Sequence, residues 1–148
     1  MQNLPSHTIP SGKTGRIPTG TPAEIRSNDD AETKRALLRE NEAAITLAQA
    51  GYNVEQRPSV SHTRKRPDYR IEGQIFDCYA PASRTTAYNI IDTLARKVAL
   101  GQTQRIILNL NDSLLSIEEI KQQLTANPIS DLLEIIAIKE QTIIPIFP

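Results

Sequence analysis

One stretch constrains this chain more than any other: Arg66-Pro67-Asp68-Tyr69-Arg70-Ile71-Glu72-Gly73-Gln74-Ile75-Phe76-Asp77-Cys78-Tyr79. Two short runs rich in β-branched and aromatic residues flank Glu72-Gly73, the pattern of a hairpin closed by a two-residue turn. A tight turn there pairs residues whose numbers sum to 145, which sets Asp68 opposite Asp77. Directly opposed residues share a face with Cβ atoms roughly 5 Å apart, so two carboxylates so placed repel. A positive group between them relieves that cost. A hard divalent cation, which takes oxygen ligands, is the natural candidate, with Mg²⁺ or another divalent cation as the expected ion.

Alternation along the hairpin puts Tyr69, Ile71, Phe76 and Cys78 on one side, an apolar face suited to a core. Asp68, Arg70, Asp77 and Tyr79 fall on the other, with Ile75 as the apolar exception. The bland alternative is a solvated edge hairpin with turn-favouring aspartates.

The pattern on either side places this hairpin in an α/β domain. Residues 1–29 carry Pro5, Pro10, Pro18 and Pro22 with Gly12, Gly15 and Gly20, the composition of a flexible linker. An ordered arm wrapped on the domain is the alternative. From Asp30 to Ala50, apolar residues recur at helical spacing, and Gly51 ends the helix. A strand over Tyr52–Gln56, a polar basic loop and the hairpin follow. Tyr88 to Leu100 fits a second helix closed by Gly101. Arg105 to Leu110 is a near-continuous apolar run, as in a strand buried on both faces. Ser116 with Glu119 is a capping box for a third helix to about Thr125. Leu132–Lys139 and Thr142–Ile146 read as two closing strands. The order α-β-β-β-α-β, then α-β-β, predicts a mixed sheet with helices on both faces over residues 30–148.

Composition narrows the function classes. The formal net charge is zero, which argues against a protein that coats nucleic acid non-specifically. One cysteine, Cys78, excludes an internal disulfide framework. No apolar run approaches the roughly 20 residues of a membrane helix. The balance is uneven along the chain, however. Arg57, Arg64, Lys65, Arg66 and Arg70 surround the hairpin entrance, while Asp112, Glu118, Glu119, Asp131, Glu134 and Glu140 lie in the C-terminal third. A basic rim beside an acidic pair suits a phosphate backbone.

Two carboxylates are too few for a complete oxygen site. Glu40 and Glu42 on the first helix are the candidates for a third, against the common case of solvated helix glutamates. Lys97 on the second helix offers a cation to stabilise charge developing on a substrate. His62 has no second partner spaced for zinc.

These residues resemble the PD-(D/E)XK nuclease fold. Its parts are a helix with an acid (Glu40 or Glu42), a strand with Pro-Asp (Pro67-Asp68) and a strand with Asp/Glu-x-Lys (Asp77-Cys78-Tyr79). Tyr79 stands at the motif's lysine position, and Lys97 on the next helix is the displaced lysine. A narrower resemblance spans Arg39 to Pro148. Arg39-Glu40-Asn41-Glu42-Ala43-Ala44, Gly51-Tyr52-x-Val54-Glu55-Gln56, Pro67-Asp68 through Ala80-Pro81, Lys97-Val98 and Arg105-Ile106-Ile107-Leu108-Asn109-Leu110-x-Asp112-Ser113 are similar to the C-terminal tRNA nuclease domains of contact-dependent growth inhibition toxins.

That resemblance implies a domain secreted within a larger toxin, which cleaves tRNA in the cytoplasm of a neighbouring bacterium and is blocked by a cognate immunity protein. It implies Asp68 and Asp77 as metal carboxylates, and Glu40 or Glu42 with Lys97 as catalytic partners, Glu40 fitting the fold's spacing to Ala43, Leu47 and Gly51 slightly better. Arg64, Lys65, Arg66, Arg70 and Tyr79 are the expected substrate contacts. The expected chemistry is metal-assisted hydrolysis. Attack by the RNA's own 2′-hydroxyl, a DNase on the same fold, a non-catalytic nucleic-acid-binding module and an interaction protein with an incidental acidic pair remain alternatives.

Overall fold

Glu72 and Gly73 both take up left-handed backbone, at φ 50° and 83°. This is the type I′ geometry whose twist matches two antiparallel strands. The strands it joins, Tyr69–Ile71 and Gln74–Tyr79, pair as Tyr69 with Phe76, Arg70 with Ile75 and Ile71 with Gln74. The register read from the sequence therefore holds, and Asp68 and Asp77 are next along the ladder.

The computed structural model describes residues 7–59 and 66–148. In chain order the elements are β1 (Thr19–Gly20), α1 (Ala31–Gln49), β2 (Val54–Gln56), β3 (Tyr69–Ile71), β4 (Gln74–Tyr79), α2 (Ala87–Ala99), β5 (Arg105–Asn109), α3 (Ile117–Ala126), β6 (Glu134–Lys139) and β7 (Thr142–Phe147). The strands form one seven-stranded sheet in sequence order. Pairing is antiparallel from β2 to β4, parallel from β4 to β6 and antiparallel again to β7. Each helix begins at a side-chain cap: Asp30 accepts from Thr33 N, Thr86 from Asn89 N, and Ser116 and Glu119 form the expected capping box.

Alternation along the strands divides the core in two. On one face Ala43, Ala44, Leu47 and Ala48 of α1 pack on Tyr69, Ile71, Phe76, Ile107, Ile136 and Ile138. On the other, α2 and α3 cover Ile106, Leu108, Ile135 and Ala137 with Ile90, Ile91, Leu94, Ile120 and Leu124. β5 thus buries both of its faces, which is why it reads as an unbroken apolar run.

Residues 7–29 depart from the flexible linker expected of their composition. Gly12 N donates to Gly51 O at 3.0 Å, Gly15 N to Gln49 O at 2.8 Å and Thr21 N to Gln56 O at 3.2 Å. Ser11 donates from N and Oγ to Glu72 Oε2, and Thr8 donates from N and Oγ1 to the Glu134 carboxylate. The Pro- and Gly-rich arm finds its hydrogen-bond partners at the ends of α1, β2 and β6. These are long-range pairings that local composition does not encode.

Gly51 shows how close the arm lies. It sits at φ 103°, and a Cβ there would come within 2.5 Å of Gly12 O. Gly51→Ala is expected to cost about 1–3 kcal/mol, from left-handed strain together with loss of the arm contact. A urea midpoint equal to that of wild type would contradict this.

Candidate active site

Asp68 occupies the bend just ahead of β3, and two backbone contacts hold it against β4. Its own N–H donates to Asp77 Oδ1 at 3.3 Å, and its Oδ2 accepts from Cys78 N at 2.8 Å. The two aspartates are thus locked together by the ladder that the turn sets. Asp77 lies on the face of β4 that also carries Tyr79, which packs against the α2 core.

Glu40 reaches the pair from α1 and is 7% exposed. Its position is fixed through Tyr69, a fully buried residue whose hydroxyl donates to Glu40 O at 2.6 Å. Burial pushes the Tyr69 phenol well above its usual range, so it stays a donor. Glu40 Oε2 is buried and accepts no hydrogen bond among the described residues. Its nearest cation is Arg57, whose Nη2 lies 3.7 Å away, and Arg57 Nε is also buried without a partner.

Electrostatics tie these groups into one unit. Burial first, then the charge of Asp68, raise Glu40 to about 8, with Arg57 pulling the other way. Burial also raises Asp68 to about 6, joined by the charge of Asp77 and opposed by the Cys78 amide, Arg57 and Lys97. Lys97, from α2, lies 6.0 Å above the centre of the Tyr79 ring. The carboxylates are crowded together at a stability cost, as such groups often are at functional centres.

The sign of the pH effect follows. Both carboxyls hold protons in the folded state at pH values where the unfolded chain has released them. Ion-free, the domain therefore loses stability as pH rises from about 4 to about 8. Glu40→Gln is expected to flatten that slope. With chelator present, melting of the wild type is expected to fall by roughly 5–10 °C across this range. Equal slopes for the two proteins would contradict it.

The remaining expected site residues divide. Glu42 does not join Asp68 and Asp77. Its carboxylate accepts from Asn109 and Asn111 Nδ2 at 3.2 and 2.6 Å and pairs with Arg39 at 2.7 Å. Two residues along a helix is about 200° of rotation, so Glu40 and Glu42 cannot share a face. Arg70 pairs with Glu55 at 2.6 Å across the β2–β3 ladder, engaged by a strand neighbour. Arg66 lines a cleft beside Arg57. Arg64, Lys65 and His62 lie outside the described residues.

Arg57 had been legible only as one of several basic residues near the hairpin. Its place at the carboxylates comes from the end of β2, where left-handed backbone (φ 50°) and a 2.9 Å hydrogen bond from its N–H to Asp68 O turn the chain. The Tyr69 hydroxyl contact had no sequence signal beyond an aromatic on the core face.

The donors suit a hard divalent cation. All are carboxylate oxygens, and Glu40 Oε2 is an orphaned buried acceptor. Among the described residues no group of three His, Cys, Asp or Glu is close enough to form a cage around an ion. Mg²⁺ needs no such cage: it commonly binds through one or two carboxylates, keeping waters and substrate phosphates as its other ligands.

Comparison with known proteins places this arrangement. The profile of the contact-dependent growth inhibition CdiA C-terminal domain matches residues 65–144, which hold the hairpin, α2 and nearly all of the sheet beyond. The chain is 44% identical over 125 residues to "tRNA nuclease CdiA-2" of Burkholderia pseudomallei (strain 1026b), an alignment covering 84% of this chain and 4% of that much longer protein. Its fold matches a chain of the "CdiA-CT/CdiI toxin and immunity complex from Burkholderia pseudomallei" with a TM-score of 0.83 at 42% identity, over 89% of this chain and 99% of that one. With more than half of its length inside the family profile and its fold reproduced across nearly all of the solved toxin chain, this protein belongs to the contact-dependent growth inhibition CdiA C-terminal domain family.

Proposed function

We propose that this domain is a toxin that cleaves tRNA inside target bacteria, a metal-dependent endoribonuclease with a PD-(D/E)XK-type centre at Glu40, Asp68, Asp77 and Lys97. The observation that carries the reading is the cluster itself. Two aspartates are locked by a hairpin register beside a buried glutamate whose Oε2 accepts no hydrogen bond among the described residues, with cations on two sides. The tRNA nuclease name of a 44% identical relative supports the substrate. The toxin and immunity complex among solved structures supports a cognate immunity protein as the partner. The size of that relative supports delivery as the end of a larger secreted protein.

Each side chain has a role that its surroundings allow. Asp68 and Asp77 would hold the ion, their side chains preset by the Cys78 and Asp68 amides. A bound divalent ion would polarise the scissile phosphate and acidify a water in its shell. Glu40, raised to about 8, holds or accepts a proton near neutral pH. Lys97 offsets charge developing on the phosphate.

Total cellular RNA incubated with the domain, with Mg²⁺ or with chelator, tests this on a denaturing gel. Discrete tRNA fragments only with Mg²⁺ are expected. Fragments in chelator would remove the metal. Intact RNA beside nicked plasmid DNA would replace the substrate.

A further inference from the structure

Arg57 and Arg66 line a cleft of about 380 Å³ whose remaining wall is built by α1, through Thr33 and Leu37, and by the arm, through Thr21, Pro22 and Glu24. The cleft adjoins the carboxylates: Arg57 is 3.7 Å from Glu40 Oε2, and Leu37 lies one turn before Glu40 on α1. Its acidic residues are occupied. Glu24 pairs with Arg26 at 3.6 Å, and Asp29 accepts from Arg26 N at 2.8 Å.

The cleft's two inner cations keep donors to spare. Arg57 makes one long ion pair, from Nη2 to Glu40 Oε2 at 3.7 Å, and its Nε is buried with no acceptor, while Arg66 has no ion-pair partner among the described residues. A guanidinium with free N–H donors takes two charged oxygens side by side, the recognition that phosphate satisfies.

The arm is pinned where it forms the wall. Ala23 is 5% exposed, and its N–H and carbonyl both bond the Asn41 side chain, at 2.8 and 3.1 Å. Asn41 Oδ1 also accepts from Gln56 Nε2 at 3.0 Å, one residue before Arg57. Asn41 is the neighbour of Glu40, so the same turn of α1 carries the helix acid and clamps the arm.

We propose that this cleft is a phosphate subsite for the RNA backbone beside the cleavage centre, with Arg57 and Arg66 as its anion-binding side chains and arm residues 21–29 as its outer wall. The arm is then part of the substrate surface as well as a connection to preceding chain. The proposal deepens the ribonuclease reading and rests on it for the identity of the ligand. The subsite itself is testable without cleavage.

Inorganic phosphate titrated into the wild-type domain is expected to shift the Arg57 Nε–Hε resonance in ¹⁵N-edited spectra, with the Arg57→Gln spectrum assigning the peak. No shift at Arg57 overturns the subsite, whether or not the domain cuts RNA. In tRNA cleavage, Arg57→Gln and Arg66→Gln are each expected to raise KM about tenfold, as loss of a charged hydrogen bond does. The dependence of log KM on log salt should fall by about 1 for each contact removed.

Arg96→Gln, at an exposed pair with Asp92, serves as the wild-type-like control. Gly20→Ala probes the wall, because a Cβ there meets Gln56 O at 2.2 Å and pushes the arm outward. It is expected to raise KM with kcat retained. Unchanged KM and salt slope in the Arg57→Gln, Arg66→Gln double variant overturn the proposal, as does a loss confined to kcat. A wild-type domain inert on RNA sinks the ribonuclease reading instead and leaves the phosphate titration to judge the subsite.

Discussion

Asp77→Asn is expected to reduce tRNA cleavage by roughly 10³-fold, the scale of losing one preorganised group at a reacting centre, while the domain melts at a higher temperature than wild type at pH 8 without added metal. Both halves have the same cause. Asp77 is held against Asp68 by the hydrogen bond that its Oδ1 accepts from the Asp68 amide, and its charge helps push both Asp68 and Glu40 upward. Asparagine keeps the shape and the Oδ1 acceptor for the Asp68 amide, so the hairpin closes as before. What is lost is one of the two charges proposed to hold a cation, together with the repulsion that destabilises the ion-free fold. Activity measured on tRNA and melting followed by circular dichroism check the two halves. Undiminished cleavage would remove Asp77 from the site. Lost activity with a lowered melting temperature would assign it a structural role.

The largest stability effect is expected far from these carboxylates, at Arg105→Ala, with a loss of about 3–5 kcal/mol. Glu134 is fully buried, and its Oε1 receives Arg105 Nη1 at 2.5 Å from the adjacent strand, where the two residues are register partners. The other donors to that carboxylate come from Thr8 on the arm. Removing the guanidinium leaves a buried anion with neutral donors alone. In a domain of this size the loss corresponds to roughly 10–20 °C in melting temperature. Because Thr8 docks on the same carboxylate, faster proteolysis of the arm should accompany it. Arg105→Met with Glu134→Leu removes both charges and is expected to recover most of the loss. A single variant that melts with wild type, or a double variant as weak as the single, would refute the account.

Much of the fold could be read from the chain because its signals are local. Glu72-Gly73 dictates a type I′ turn, and the turn dictates the register, so the Asp68–Asp77 juxtaposition followed from counting. The alternation of Tyr69, Ile71, Phe76 and Cys78, the capping box at Ser116 and the double-faced β5 run were likewise visible. Each depends on neighbours within a few residues. The choice between Glu40 and Glu42 was only faintly legible. Both fit a helix edge, and the spacing to Ala43, Leu47 and Gly51 favours Glu40 slightly; the packing of α1 on β3, with Tyr69 reaching the Glu40 carbonyl, sets Glu40 beside the aspartates and turns Glu42 toward Asn109 and Asn111.

The arm marks the same boundary. Its Pro and Gly content argues for loose chain, because composition reports what a segment offers itself and is silent about what distant elements offer it. The acceptors at Gln49, Gly51, Gln56 and Glu134 come from the ends of three elements brought together by folding, and they decide that the arm is bound. The sequence by itself determined the hairpin, its register, the order of elements from α1 onward and the pair of aspartates, since each is set by short-range sterics and periodicity; it did not show β1. Tertiary structure decided which glutamate and which arginine meet that pair, and what becomes of the arm. Those contacts join residues tens of positions apart, and their free energy exists only once two core faces have closed on the sheet.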